Sequence, residues 1–175
     1  IGLSFYLKFY KSDRTNYVLP ELTAVNKADI TKIVIAEKTD KIELGKKDNK
    51  WQILPKGYLA DQTKVQAIID ALSEMTLTAL VSESGIYERY ELDDDQKLGV
   101  SVFSSGTLKR KFDVGKSASS NQHTFVRIDG DKKVYHARGN FKSTFNQTID
   151  DLRDKKVLTV IKDQVNTIDI TRESE

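Results

Sequence analysis

Short runs in which apolar and polar residues alternate, separated by tight-turn residues, recur through most of this chain and direct it toward antiparallel hairpins. Ile30-Thr-Lys-Ile33-Val-Ile35 is rich in β-branched residues and Lys41-Ile-Glu-Leu44 alternates, so both predict strands. The Lys46-Lys-Asp-Asn49-Lys50 cluster predicts a hairpin turn, from which Trp51-Gln-Ile53-Leu54 returns as a strand ended by Pro55 and Gly57. Leu77-Thr-Ala-Leu80-Val81 predicts another strand, followed by an irregular stretch through Tyr87, Tyr90 and Leu92. Gly99-Val-Ser-Val102-Phe103 and Leu108-Lys-Arg-Lys-Phe112-Asp-Val114 form a hairpin closed at Ser105-Gly106, and Thr124–Ile128 with Lys133–Ala137 form one closed at Asp129-Gly130.

Two helices interrupt this pattern. Asp61 is placed to cap the first, in which Val65, Ile68, Ile69, Leu72 and Met75 make one apolar stripe that calls for burial against a sheet. Asn140 or Ser143 caps the second, with Phe141, Phe145, Ile149 and Leu152 on one face, and Val157-Leu-Thr-Val160 follows as a strand. The expected class is α+β: antiparallel hairpins and sheets with two main helices, arranged as two similar βββα-type halves. The apolar spacing of Val25, Ile30, Ile33 and Ile35 is repeated at Val160, Val165, Ile168 and Ile170, so a further repeat begins there or the match is accidental. The expected organisation is a stub and linker over 1–20, an α+β domain over 21–160, and a final strand over 161–175.

A chain of 175 residues buries roughly 70% of its unfolded surface, enough for a real core. The 28 basic and 26 acidic residues leave a net charge of +2, and the basic ones come in scattered pairs. Lys109-Arg110-Lys111 lies in a strand whose alternation sends neighbours to opposite faces, so no nucleic-acid footprint is expected. The absence of cysteine removes disulfides, thiolate ligands and cysteine nucleophiles together.

The first ten residues, Ile1-Gly-Leu-Ser-Phe5-Tyr-Leu-Lys-Phe9-Tyr10, are mostly apolar and aromatic and give way to polar sequence. Such residues suit the end of a membrane-spanning or signal-anchor helix at the interface. The competing reading is a short amphipathic helix packed on its own domain. Lys8, Lys11 and Arg14 would lie outside, against the usual positive-inside bias.

No residue pattern names a reaction. Gly115-Lys116-Ser117 ends like a phosphate-binding loop, but the position of that motif's first glycine is Arg110 and no helical pattern follows. His123 and His136, the only histidines, fall on strands expected to pair, without the third ligand a zinc site needs. Ser117, Ser119 and Ser120 lack a nucleophile-elbow framework. Glu91, Asp93, Asp94 and Asp95 form a dense acidic cluster without the spacing of a calcium loop. No catalytic, cofactor or metal residue is therefore assigned. Two sets remain: Asp151, Arg153, Asp154 and Lys155 as a docking edge or simply helix-end charges, and Tyr87, Tyr90 and Tyr135 as stacking surfaces or ordinary packing residues.

The order of Trp51 in a hairpin, a capped helix after Ala60-Asp61, Tyr90-Glu-Leu92 before a strand, Val114-Gly115, Phe125-Val-Arg127, Val134-Tyr135 and Asp151-Leu-Arg-Asp-Lys155-Lys-Val-Leu158 resembles a bacterial family catalogued as a domain of unknown function, DUF 4340. The resemblance runs from about Ile30 to Ile170. Many members carry Gly after the tyrosine where this chain has Glu91. The resemblance implies an outward-facing domain held by one amino-terminal membrane helix and associated with subunits of an ABC-type, gliding-motility-like transport system. It implies no activity, cofactor or catalytic residue. The expected function is a non-enzymatic, extracytoplasmic interaction or assembly module; the alternatives are a binding domain for a small exported ligand or cell-envelope polymer and, third, a hydrolase.

Overall fold

The structure, a computed structural model, describes residues 17–156 and positions 167, 169 and 171. The amino-terminal stub, the strand expected at Val157–Val160 and most of 161–175 lie outside the described residues.

The strands are β1 (Lys32–Glu37), β2 (Asp40–Lys47), β3 (Lys50–Leu54), β4 (Tyr58–Leu59), β5 (Leu77–Ser82), β6 (Leu98–Ser104), β7 (Thr107–Ser117), β8 (His123–Ile128) and β9 (Val134–Arg138). Helices α1 (Gln62–Glu74), α2 (Phe141–Phe145) and α3 (Ile149–Leu152) accompany them. All nine strands join one sheet in the order β4-β3-β2-β1-β6-β7-β8-β9-β5, and every pairing is antiparallel.

The turns follow local chemistry. Asp48 and Asn49 take φ of 49° and 63°, and Ser105 and Gly106 take 48° and 80°. Two consecutive positive φ values match the right-handed twist of the flanking strands, which is why both hairpins close in two residues. The β8–β9 connection is longer, spanning residues 129–133.

Two four-strand meanders meet at the β1–β6 pair, in which Val34 lies opposite Ser101, and β5 adds a ninth strand at one edge. Each half is a meander running outward from the centre, β1 to β4 on one side and β6 to β9 on the other, followed by helix. The halves then exchange their continuations. The strand after α1 crosses to the edge beyond β9, where Leu77 faces Ala137. The chain after α3 returns to the edge beyond β4, where Arg153 bridges Ala60 and Asp154 N–H donates to Leu59 O at 2.8 Å. The fully buried Ala60 and Ala137 occupy the same place in each half.

Alternation puts Ile33, Ile35, Leu44, Trp51, Ile53, Val100, Val102, Phe112, Val114, Val126 and Tyr135 on the inner face, in one core with the helices. Val65, Ile68, Ile69 and Leu72 of α1 bury against it, each contributing on the order of 2 kcal/mol. Asp61 caps α1, accepting from the Thr63 and Lys64 N–H groups at 2.9 and 3.2 Å.

The second helix departs from the expected continuous element. Asn140 caps α2 and accepts from Ser143 N–H; the chain then leaves helical geometry at Asn146, and Thr148 with Asp151 forms a capping box that starts α3. The break rotates Ile149 out to 45% exposure while Phe141, Phe145 and Leu152 stay buried.

Candidate functional site

The outer face of the sheet is unevenly covered. Residues 83–97, between β5 and β6, lie across β7 and β8 as a clip. Tyr90 packs on Phe125 with ring centroids 4.9 Å apart, Leu92 is fully buried, and Arg127 stacks on Tyr87 at 4.4 Å. Arg127 also donates to Asp113 through Nε at 3.1 Å and Nη2 at 2.5 Å, while Lys97 approaches the same carboxylate at 3.6 Å. The clip closes on β7 at a glycine, Gly115, directly below the Tyr90 carbonyl.

A cleft of about 300 Å³ adjoins the clip, lined by Tyr87, Asp113, Arg127, Asp129, Asp131 and Lys132. Its carboxylates are engaged: Asp113 with Arg127, Asp129 with Lys111 at 3.0 Å, and Asp131 with the Tyr135 hydroxyl at 2.6 Å. Burial and the neighbouring Asp131 carboxylate both raise the pKa of that phenol, so it stays a donor. Each cleft carboxylate therefore has a partner.

A second region lies at the tip of the β6–β7 hairpin. A β-bulge opposite Val102 and Phe103 makes Lys109 an extra residue between Leu108 and Arg110. Arg110 points inward and is 7% exposed. It donates to Leu72 O at the end of α1 at 2.7 Å and to Thr23 O, tying the strap of residues 17–25 to the core. Burial lowers its pKa, and its Nε has no partner. Cavities of about 240 and 230 Å³ flank the strap, both lined by Thr23 and Lys109.

The residues singled out from sequence are dispersed among these features. Tyr87 lines the cleft and Tyr90 is stacked under the clip, but Tyr135 is 3% exposed on the inner face; the three do not share a surface. Asp151 caps α3, and its carbonyl accepts from Lys64 Nζ at 2.6 Å. Arg153 and Asp154 close the β4 edge, and Lys155 pairs with Asp150 at 2.7 Å. Three of the four acidic-turn residues are paired, through Asp94–Lys97, Asp95–Lys38 and Glu91–Lys142, while Asp93 accepts from Asp95 N–H and its buried second oxygen has no partner. Gly115, Lys116 and Ser117 are the end of β7, with no helix after them.

His123 and His136 meet on the outer face with centroids 5.5 Å apart. His136 also stacks on Phe125 at 4.7 Å, and its buried Nε2 has no hydrogen-bond partner. Burial, reinforced by His123, lowers its pKa. Among the described residues no three His, Asp or Glu side chains are grouped to hold a metal ion, and no helix is long and apolar enough to cross a membrane. Sequence reasoning missed Arg110 and Arg127. Both carried a signal: Arg127 faces Asp113 across paired strands, and Arg110 stands two residues before Phe112 on the same inward face.

A pair of meanders, a Trp51 hairpin, an Asp61-capped helix and a glycine beneath the Tyr90 clip are now in place, and the family profile described as "Domain of unknown function (DUF4340)" matches residues 51–175. The chain belongs to the DUF4340 family. The match starts in β3, later than Ile30, and takes in the clip, the cleft and the β7 bulge of this DUF4340 chain. No curated protein and no solved structure gives a significant match.

Proposed function

We propose that this DUF4340 domain is a non-enzymatic interaction or assembly module of a membrane-associated, transport-type complex, facing the periplasm or cell exterior and tethered to the membrane through an amino-terminal helix. The observation that supports a non-catalytic role is the engagement of the three cleft carboxylates. Asp113, Asp129 and Asp131 each spend their charge on Arg127, Lys111 or the Tyr135 hydroxyl. A general acid or base needs a free, positioned proton acceptor or donor beside its substrate.

The membrane tether draws its support from the interfacial aromatics Phe5, Tyr6, Phe9 and Tyr10. The transport association rests on the DUF4340 resemblance. A second reading, a binding domain for a small exported ligand or envelope polymer, is favoured by the roughly 300 Å³ cleft with Tyr87 in its wall.

Mild crosslinking of the full-length protein in its own cells, followed by membrane fractionation, tests the first reading. Recovery in the membrane fraction, in fixed stoichiometry with membrane-embedded transport subunits, is the expected result. A protein that fractionates free of membranes and of such subunits overturns it. For the second reading, envelope oligosaccharides should raise the melting temperature in the native protein and not in Tyr87→Ala.

A further inference from the structure

β7 is longer than the strand beside it. It runs from Thr107 to Ser117, but its pairing with β8 extends only as far as Phe112 opposite Ile128. Among the described residues, 107–111 therefore have β6 as their only strand neighbour, and Asp129 N–H donates to Lys111 O at 3.1 Å where β8 turns away. A half-paired strand is a template for one more strand. Here it borders the cavity of about 230 Å³ lined by Glu21, Leu22, Thr23, Lys109, Arg110 and Lys111.

Both signs of charge border this overhang, with Glu21 and Asp129 beside the basic run of Lys109, Arg110 and Lys111. Alternation holds among the three consecutive cations: Arg110 turns into the core while Lys109 and Lys111 stay exposed beside the cavity. Among the described residues Lys111 pairs with Asp129, Lys109 has no ion-pair partner, and Arg110 meets only backbone carbonyls. Leu108 is 46% exposed beside them. Lysines on an edge strand discourage apolar strands from adding; against an acidic strand the same lysines attract.

We propose that residues 107–111 of β7 are a docking edge for an extended, acidic segment of a partner protein, which adds as a strand and pairs its carboxylates with Lys109 and Lys111. This rests on the interaction-module reading and specifies its surface.

The test uses the full, ¹⁵N-labelled chain and three capped hexapeptides: alternating Glu and Val, alternating Lys and Val, and alternating Glu and Pro. Glu–Val should shift the amides of residues 107–111 and Asp129, with affinity falling as salt rises. Lys–Val should not bind, nor should Glu–Pro, which carries the same charge but lacks alternate N–H groups for a ladder. Lys109→Glu with Lys111→Glu, both at exposed positions, should weaken Glu–Val at least tenfold while leaving amides elsewhere in the sheet in place. Equal binding of Glu–Pro, shifts centred elsewhere, or no shift at millimolar peptide overturns the proposal. If the crosslinked membrane complex persists in the double variant, the edge assignment fails and the module reading stands.

Discussion

Gly115 lies beneath Tyr90 so closely that a Cβ on the glycine would stand 2.1 Å from the tyrosine's carbonyl oxygen and 2.9 Å from Leu92 Cγ. The first contact is with backbone, which has no rotamer to yield. Gly115→Ala must therefore lift the clip from β7, exposing Leu92 and loosening the Arg127–Tyr87 stack. A loss of about 1–3 kcal/mol is expected, read as a lower urea midpoint with faster amide exchange confined to residues 83–97 and their contacts. Unchanged stability would mean that the clip does not sit there.

Glu91 occupies a left-handed conformation, φ 55° and ψ 40°, a region that favours glycine. That conformation costs an L-residue about 1–2 kcal/mol, while glycine's greater freedom in the unfolded chain takes back about 0.5–1 kcal/mol. The Glu91–Lys142 pair, at 3.7 Å, offers little in exchange. Glu91→Gly should stabilise by about 0.5–1 kcal/mol in denaturant unfolding.

Arg110→Met removes the donors that hold the carbonyls of Leu72 and Thr23. Replacing a buried cation by an apolar chain recovers some desolvation, but orphaned carbonyls cost about 1–3 kcal/mol. The expected outcome is a net loss of about 2 kcal/mol with limited proteolysis appearing in residues 17–25. A variant as protease-resistant as the native chain would show that the strap is held by Leu19 and Leu22 instead.

These contacts mark how much of the molecule was legible beforehand. The turns at Asp48-Asn49 and Ser105-Gly106 and the Asp61 cap were readable because their chemistry is local. The α2–α3 break was not: Ile149 keeps helical spacing with Phe145 and Leu152, and only the Thr148 box overrides it. Nor could local pattern place Leu77 beside Ala137, sixty positions on by their numbering, or reveal that one residue is inserted at Lys109, which leaves Leu108 exposed. The tyrosine set failed to converge for the simplest reason, since Tyr135 and His136 alternate across the sheet.

Stability should also depend on pH through His136. Its folded pKa is lowered by burial and by His123, so between the unfolded value near 6.5 and the lower folded value the unfolded chain binds more protons. Stability is then full above that window and falls as pH drops through it. The groups facing His136 are His123 and Phe125 of β8, with Ala79 opposite on β5. His136→Phe should flatten the slope near pH 6 in urea titrations, leaving carboxylate losses, including that of the lowered Asp131, at more acid pH. An unchanged slope would assign the effect elsewhere.

The proposed docking role requires this DUF4340 domain to bind a protein partner at the β7 overhang. A photo-crosslinking residue placed at Lys109 of the full-length protein in its own cells tests it most directly, with a second at Asp131 in the cleft for comparison. Ultraviolet exposure should yield one discrete product from position 109, containing a membrane-associated transport subunit joined through an acidic extended segment. No such product from position 109, or one arising only from position 131, would contradict the account.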